Sequence, residues 1–182
     1  MPDLPLTLLT IVLAYLTGAI PTGYWLGKTI RKIDIREHGS KNIGATNTLR
    51  VLGKKLGAIA LTADIGKGLF AVLLIPQIPP WPHAPLTCAI AAILGHTFSI
   101  FINFKGGKGV ATTCGTFLAL TPIPMIIALT TFAITTAATR MVSLGSILGA
   151  IALILTLWTI PLLLPNAAPS HLPTQTLGTL MA

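Results

Sequence analysis

Phe104-Lys-Gly-Gly-Lys-Gly-Val-Ala-Thr112 sets three glycines and two lysines between segments that are otherwise almost entirely apolar. Glycine lets a backbone turn sharply and lie close to a ligand. Successive N–H groups in such a turn can form an anion-binding concavity. Gly106, Gly107 and Gly109 would shape it, and Lys105 and Lys108 would add positive charge. The chemistry this suits is phosphate binding at a membrane surface. A plain basic turn at the cytoplasmic end of a span fits the same residues about as well. A Walker A loop is excluded, because Gly109 stands where Ser or Thr would follow Lys108. Mg²⁺-dependent nucleotide hydrolysis is therefore not expected.

A second group of polar residues, Gly39-Ser-Lys-Asn-Ile-Gly-Ala-Thr-Asn-Thr-Leu-Arg50, reads as a loop. Ser40, Asn42, Thr46 and Asn47 offer hydrogen bonds, Gly44 offers a turn, and Arg50 can grip a phosphate with two parallel donors. A solvated polar loop is the alternative, and from the residues alone the two stand level. Asp64 and Lys67 lie three apart inside an apolar segment, so on a helix they share a face and can pair. Charges within a span usually face protein or water. A structural ion pair is the favoured reading for Asp64, while Lys67 could also border the phosphate site. His96 sits about two helical turns before the glycine loop. A buried histidine is more often a satisfied packing residue than a catalyst. His38 reads as solvated and His83 as remote. No histidine is followed by Asp five residues on, so the His-x4-Asp signature of common glycerolipid acyltransferases is absent. Arg140 and Ser143 flank a further connection, where Arg140 can anchor a helix end and Ser143 adds a hydroxyl.

These residues must be positioned by membrane helices. Only 9% of the 182 residues are charged, against 53% hydrophobic, and mean hydropathy is +0.83. A soluble domain carries about 25% charged residues. Six apolar segments follow, at about 4–26, 56–78, 85–104, 110–120, 125–138 and 142–164. The fourth and fifth are short for full spans, and Thr121-Pro-Ile-Pro124 reads as the turn of a helical hairpin between them. The expected fold is an all-α integral membrane bundle of about six transmembrane helices with short cytoplasmic motif loops. Residues 1–164 would form the helical domain and 165–182 a polar tail. Asp3 stands where a basic leader would precede the apolar run, so no cleavable signal peptide is expected. Cys88 and Cys114 lie in apolar segments without metal-ligand spacing and read as packing residues.

Lysines and arginines fill alternate connections. Lys28, Arg31, Lys32, Arg36, Lys41, Arg50, Lys54 and Lys55 occupy the first, Lys105 and Lys108 the third, and Arg140 the fifth. The basic connections should face the cytoplasm, with the N-terminus outside. The charge of +8 then follows from topology and suits membrane lipid headgroups or a small phosphorylated ligand. It calls for no nucleic acid.

Taken together, the motifs resemble those of the bacterial PlsY family, the membrane acyl-phosphate:glycerol-3-phosphate acyltransferases. The family's GSGNIGATN followed by Arg is similar to Gly39–Asn47 and Arg50. Its D-x-x-K-G corresponds to Asp64, Lys67 and Gly68, its GHxFPxFxxFKGGKGVAT to Gly95–Thr112, and a V-S-L element to Val142-Ser-Leu144. Lys41 and Ser99 replace a usual glycine and a usual proline. The family's seventh span and final R-H-R-E-N-I-like segment find no match after Pro165, which suggests a truncated or diverged end. The resemblance implies acyl transfer from acyl phosphate to the 1-hydroxyl of glycerol 3-phosphate in the bacterial inner membrane. It implies Ser40, Arg50, His96, Lys108 and Ser143 as catalytic residues. Asn42, Gly44, Thr46, Asn47, Lys67, Lys105, Gly106, Gly107 and Gly109 would bind the substrates. No metal and no cofactor are expected. A small transporter or channel for an organic phosphate, or a non-catalytic remnant of the scaffold, is the alternative reading. The sequence leaves oligomeric state open.

Overall fold

The computed structural model describes residues 3–77 and 81–163. Among these the chain is all-helical, as expected of a span in lipid, where only internal pairing satisfies the backbone. Helix α1 covers Leu4–Ala19, and α2 covers Thr22–Leu26 and runs on as a wider turn over Gly27–Arg31. Then come α3 (Ala45–Leu52), α4 (Lys54–Leu73), α5 (Ala84–Thr97), α6 (Val110–Leu120), α7 (Pro122–Thr139) and α8 (Val142–Leu163). The C-terminal tail and any counterpart of the family's last motif lie outside the described residues.

Four of these helices are long and apolar enough to cross a membrane, or five if α1 and α2 count as one bent span. Three sequence expectations change here. The first apolar segment is not one straight helix, because it bends by 43° between Ala19 and Thr22. Pro21 has no N–H to continue the ladder. The segment from Gly39 to Arg50 is not all loop, since its second half is α3. The prolines at 122 and 124 do not make a turn. They sit in the first turn of α7, where a missing N–H is harmless, and α7 thereby reaches 18 residues. Helix α6, with 11 residues, rises about 16 Å, well short of a bilayer core of about 30 Å.

The chain divides into two compact units at Ala119–Leu120. In the first, α1, α4 and α5 meet around Ala14, Ala71, Ile75, Cys88, Ala91 and Ala92. Small residues allow this: a methyl added at Gly18 would strike the backbone of Ala92, and one at Gly95 the backbone of Tyr15. Close backbone approach of this kind supplies the packing that apolar burial cannot supply in lipid. Cys88 packs in that core and both cysteines are free. Outward-facing Leu4, Leu8, Val12, Ile59, Leu73 and Ile90 present the apolar exterior a bilayer requires. In the second unit α7 and α8 pack as a pair. Gly145 faces Phe132 and Thr136 while Gly149 faces Ala128, a small-x-x-x-small seam in antiparallel register. Ser143 is exposed in the first turn of α8.

Candidate active site

The bend at Pro21 turns two carbonyls toward side-chain donors. The hydroxyl of buried Ser99 donates to the Ala19 carbonyl. The Lys67 ammonium donates to the Ile20 carbonyl at 2.8 Å. Lys67 Nζ also lies 2.8 Å from Asp64 Oδ1 and 2.9 Å from His96 Nδ1. Thr22 donates to Asp64 Oδ1 at 3.4 Å. Asp64, His96 and Lys67 are 2%, 4% and 7% exposed, so this is an interior network. The pairing of Asp64 with Lys67 is as the spacing predicts. The three N–H groups of the Lys67 ammonium have Asp64, Ile20 and His96 within reach.

His96 leads directly to the glycine loop. After α5 the chain makes a short 3-10 turn over Ile100–Ile102 and then two left-handed residues, Asn103 (φ 56°) and Phe104 (φ 59°). The N–H of Gly106 donates to the Thr97 carbonyl at 3.1 Å, and that of Gly107 to the His96 carbonyl at 3.0 Å. The loop is thus pinned against the C-terminal end of α5, satisfying carbonyls that a helix end leaves free. A methyl at Gly106 would strike those same carbonyls, and one at Gly107 would strike His96 Nε2. Close approach therefore demands both glycines. Left-handed backbone demands only Gly109, with φ 74°. This revises the expected cradle of N–H groups, because those at 106 and 107 point into the protein. What the loop offers outward is the exposed pair Lys105 and Lys108.

The first polar segment is held by one buried amide. Asn47, 1% exposed, has the carbonyls of Ile35, His38 and Asn42 at 3.0, 3.1 and 2.8 Å from Nδ2, sharing its two N–H groups among them. Its Oδ1 accepts from the N–H of Ser40 at 2.8 Å. Asn42 Oδ1 accepts from the N–H of Gly44 at 2.8 Å, at the start of α3. Asn47 thus organises the loop and has no donor left for a substrate. Asn42 is partly buried, whereas Ser40, Thr46 and Arg50 are exposed. Ile35, Ile43, Leu52 and Leu56 share a core cluster with Ile102. That cluster ties the polar segment to the turn that leads into the glycine loop.

Beside it lies a group that the sequence reading did not single out. Arg36 donates through Nε and Nη2 to Asp34 at 3.0 and 2.8 Å and covers the Tyr24 ring, with its guanidinium carbon 4.6 Å from the ring centre. Lys28 adds a contact to Asp34 at 3.4 Å. The Arg36 hydrogen bonds hold the Asp34 carboxyl far below the usual carboxylate range, against the opposing effect of burial. Asp34 in turn raises the pKa of Arg36. An acidic residue inside a run of basic ones was the available signal for this pair. For Ser99 the signal was its place where the family usually has proline.

The profile of the glycerol-3-phosphate acyltransferase family matches residues 8–181. Glycerol-3-phosphate acyltransferase 2 of Bacillus anthracis is 49% identical over 148 residues, covering 81% of this chain and 77% of its own length. The glycerol-3-phosphate acyltransferase of Fusobacterium nucleatum is 47% identical over 143 residues, covering 79% of this chain and 74% of its own. A crystal structure of PlsY, an integral membrane glycerol 3-phosphate acyltransferase, in its glycerol 3-phosphate form, superposes with a TM-score of 0.77 at 31% identity. The match covers 96% of this chain and 84% of that one. With sequence, fold and the glycine loop in agreement, the chain belongs to the glycerol-3-phosphate acyltransferase family.

Proposed function

We propose that this chain is an integral membrane acyltransferase that moves a fatty acyl group from acyl phosphate to the 1-hydroxyl of glycerol 3-phosphate. The hydroxyl oxygen attacks the acyl carbonyl carbon, and the carbon–oxygen bond to the leaving phosphate breaks. The hydroxyl proton leaves with the phosphate, and the lipid product is lysophosphatidic acid. An acyl phosphate is a mixed anhydride with a good leaving group. Positioning and charge stabilisation supply much of the rate, and no nucleophile of the protein is required. The observation that carries this reading is the exposed Lys105 and Lys108 on a loop whose backbone is fixed to α5. In this reading they bind phosphate oxygens. Ser40, Thr46 and Arg50 orient the second phosphorylated group, and Asn42, Gly44 and Asn47 hold the segment that carries them. Ser143 contributes a further hydroxyl, as the family resemblance implies. The basic connections face the cytoplasm of a bacterial inner membrane, which would place these residues where both phosphates are delivered.

The test is formation of lysophosphatidic acid by the purified chain, dependent on acyl phosphate. Lys108→Ala should raise the apparent KM for a phosphorylated substrate about tenfold, the scale of one charge-assisted hydrogen bond. High salt should partly mimic that loss. Lys55→Ala, at an exposed helix start, should change little. Equal losses from both variants would reduce the loop to a general basic patch, and absence of transfer would overturn the reading.

A further inference from the structure

The turn between α5 and the glycine loop closes on one residue. The Ser99 carbonyl accepts the N–H of Phe104 at 2.8 Å and that of Ile102 at 3.2 Å. Lys105 donates its own N–H to the Ile102 carbonyl at 3.2 Å. The left-handed Asn103 and Phe104 complete the reversal. The backbone of the exposed Lys105 is therefore set by a short series of bonds that begins at Ser99.

Ser99 is itself held from a different helix. It is fully buried, and its hydroxyl donates to the Ala19 carbonyl. Ala19 is the last residue of α1, where carbonyls lack partners within their own helix. The preceding turn residue is tied to the same helix, because the Tyr15 hydroxyl donates to the Phe98 carbonyl at 2.6 Å. Two successive residues of the turn are thus fastened to α1, one by its carbonyl and one by its side chain. Backbone strain does not select a serine here. Its φ of −68° and ψ of 118° lie where any residue is at ease. What serine adds over alanine is the hydroxyl, and that hydroxyl is spent on α1.

We infer that Ser99 is a positioning residue for Lys105. Its hydroxyl anchors the turn to α1, and its carbonyl passes that anchorage to the backbone that carries the ammonium. The inference rests on the acyltransferase reading, in which Lys105 binds a phosphate oxygen. Ser99 acts only through that lysine.

Two measurements test this. The first is amide hydrogen exchange of the purified chain in detergent, followed by mass spectrometry. In Ser99→Ala the amides of Ile102, Phe104 and Lys105 should exchange about tenfold faster, as expected when a local anchor is lost, while those of α8 keep their rates. Unchanged exchange in the turn overturns the anchorage. Faster exchange throughout the chain also overturns it, since the hydroxyl would then support the fold at large.

The second measurement is kinetic. Ser99→Ala should raise the apparent KM for one phosphorylated substrate about tenfold, the scale of one misaligned charge-assisted hydrogen bond. The kcat should stay within about twofold, because uniform binding is what is lost. In a Lys105→Ala background the same substitution should add less than about twofold, since residues that act through one contact are not additive. A loss confined to kcat, or full additivity with Lys105→Ala, overturns the positioning role. If the unmodified chain transfers no acyl group, the acyltransferase reading fails while hydrogen exchange still decides whether Ser99 holds the turn.

Discussion

The two polar segments of the first unit are built in opposite ways. The segment from Gly39 to Arg50 is organised by a side chain that is present: Asn47 reaches into its own loop and satisfies four backbone groups. The glycine loop is organised by side chains that are absent. Gly106 and Gly107 allow the backbone to lie against the end of α5 and against the His96 ring. In the first, substitution removes bonds; in the second, it adds atoms where none fit. Both arrangements use polar groups inward and leave only a few exposed residues to meet a substrate, chiefly Ser40, Thr46 and Arg50 in one and Lys105 and Lys108 in the other.

The comparison is most sharply broken at Gly107. Gly107→Ala should lower acyl transfer by about 100-fold or more, because the methyl must displace His96 or detach the loop. Kinetics, with His96 observed by NMR, would check it. A functional Ala variant would show that the loop yields and that close approach is not its basis. Asn47→Ala should act through stability instead. Leaving three carbonyls and one N–H without their partner should cost about 3 kcal/mol, read from thermal unfolding in detergent. Retained stability together with a lost substrate affinity would return Asn47 to a binding role. The smallest effect concerns Lys41, which is exposed and adopts φ 58°. A left-handed conformation costs a non-glycine residue roughly 1 kcal/mol, so Lys41→Gly should stabilise the chain by about that amount. A destabilised variant would mean that the lysine side chain contributes more than its backbone strain removes.

Much of this was legible in residue type and spacing. The glycine loop, the Asp64–Lys67 pair and the membrane class could all be read from the chain. Helix α3 could not, because its pattern misleads. It buries the polar Asn47 and Thr48 beside Leu52 while Leu49 remains 47% exposed, so apolar residues alone do not mark its packed face. The purpose of the glycines was half legible. Glycine signals close approach, but the sequence does not say whether the object approached is a ligand or, as here, the end of the preceding helix. The further partners of Lys67 were not legible for a related reason. Its donors go to Ile20 and His96, respectively 47 and 29 residues away, and no local spacing encodes such partners. Pro21 was legible and underused, since a proline inside an apolar run is itself a statement about where a helix stops.

That proline also bears on how the chain is made. Synthesis runs from the N-terminus, so α1, its break and Thr22 exist before α4 emerges. Asp64 and Lys67 pair on a single face of α4. The Ile20 carbonyl and the Thr22 hydroxyl are waiting as partners. His96 arrives last, on α5, and closes a network already in place. The bend thus supplies two partners, both earlier in the chain, to a pair of charges set inside an apolar helix.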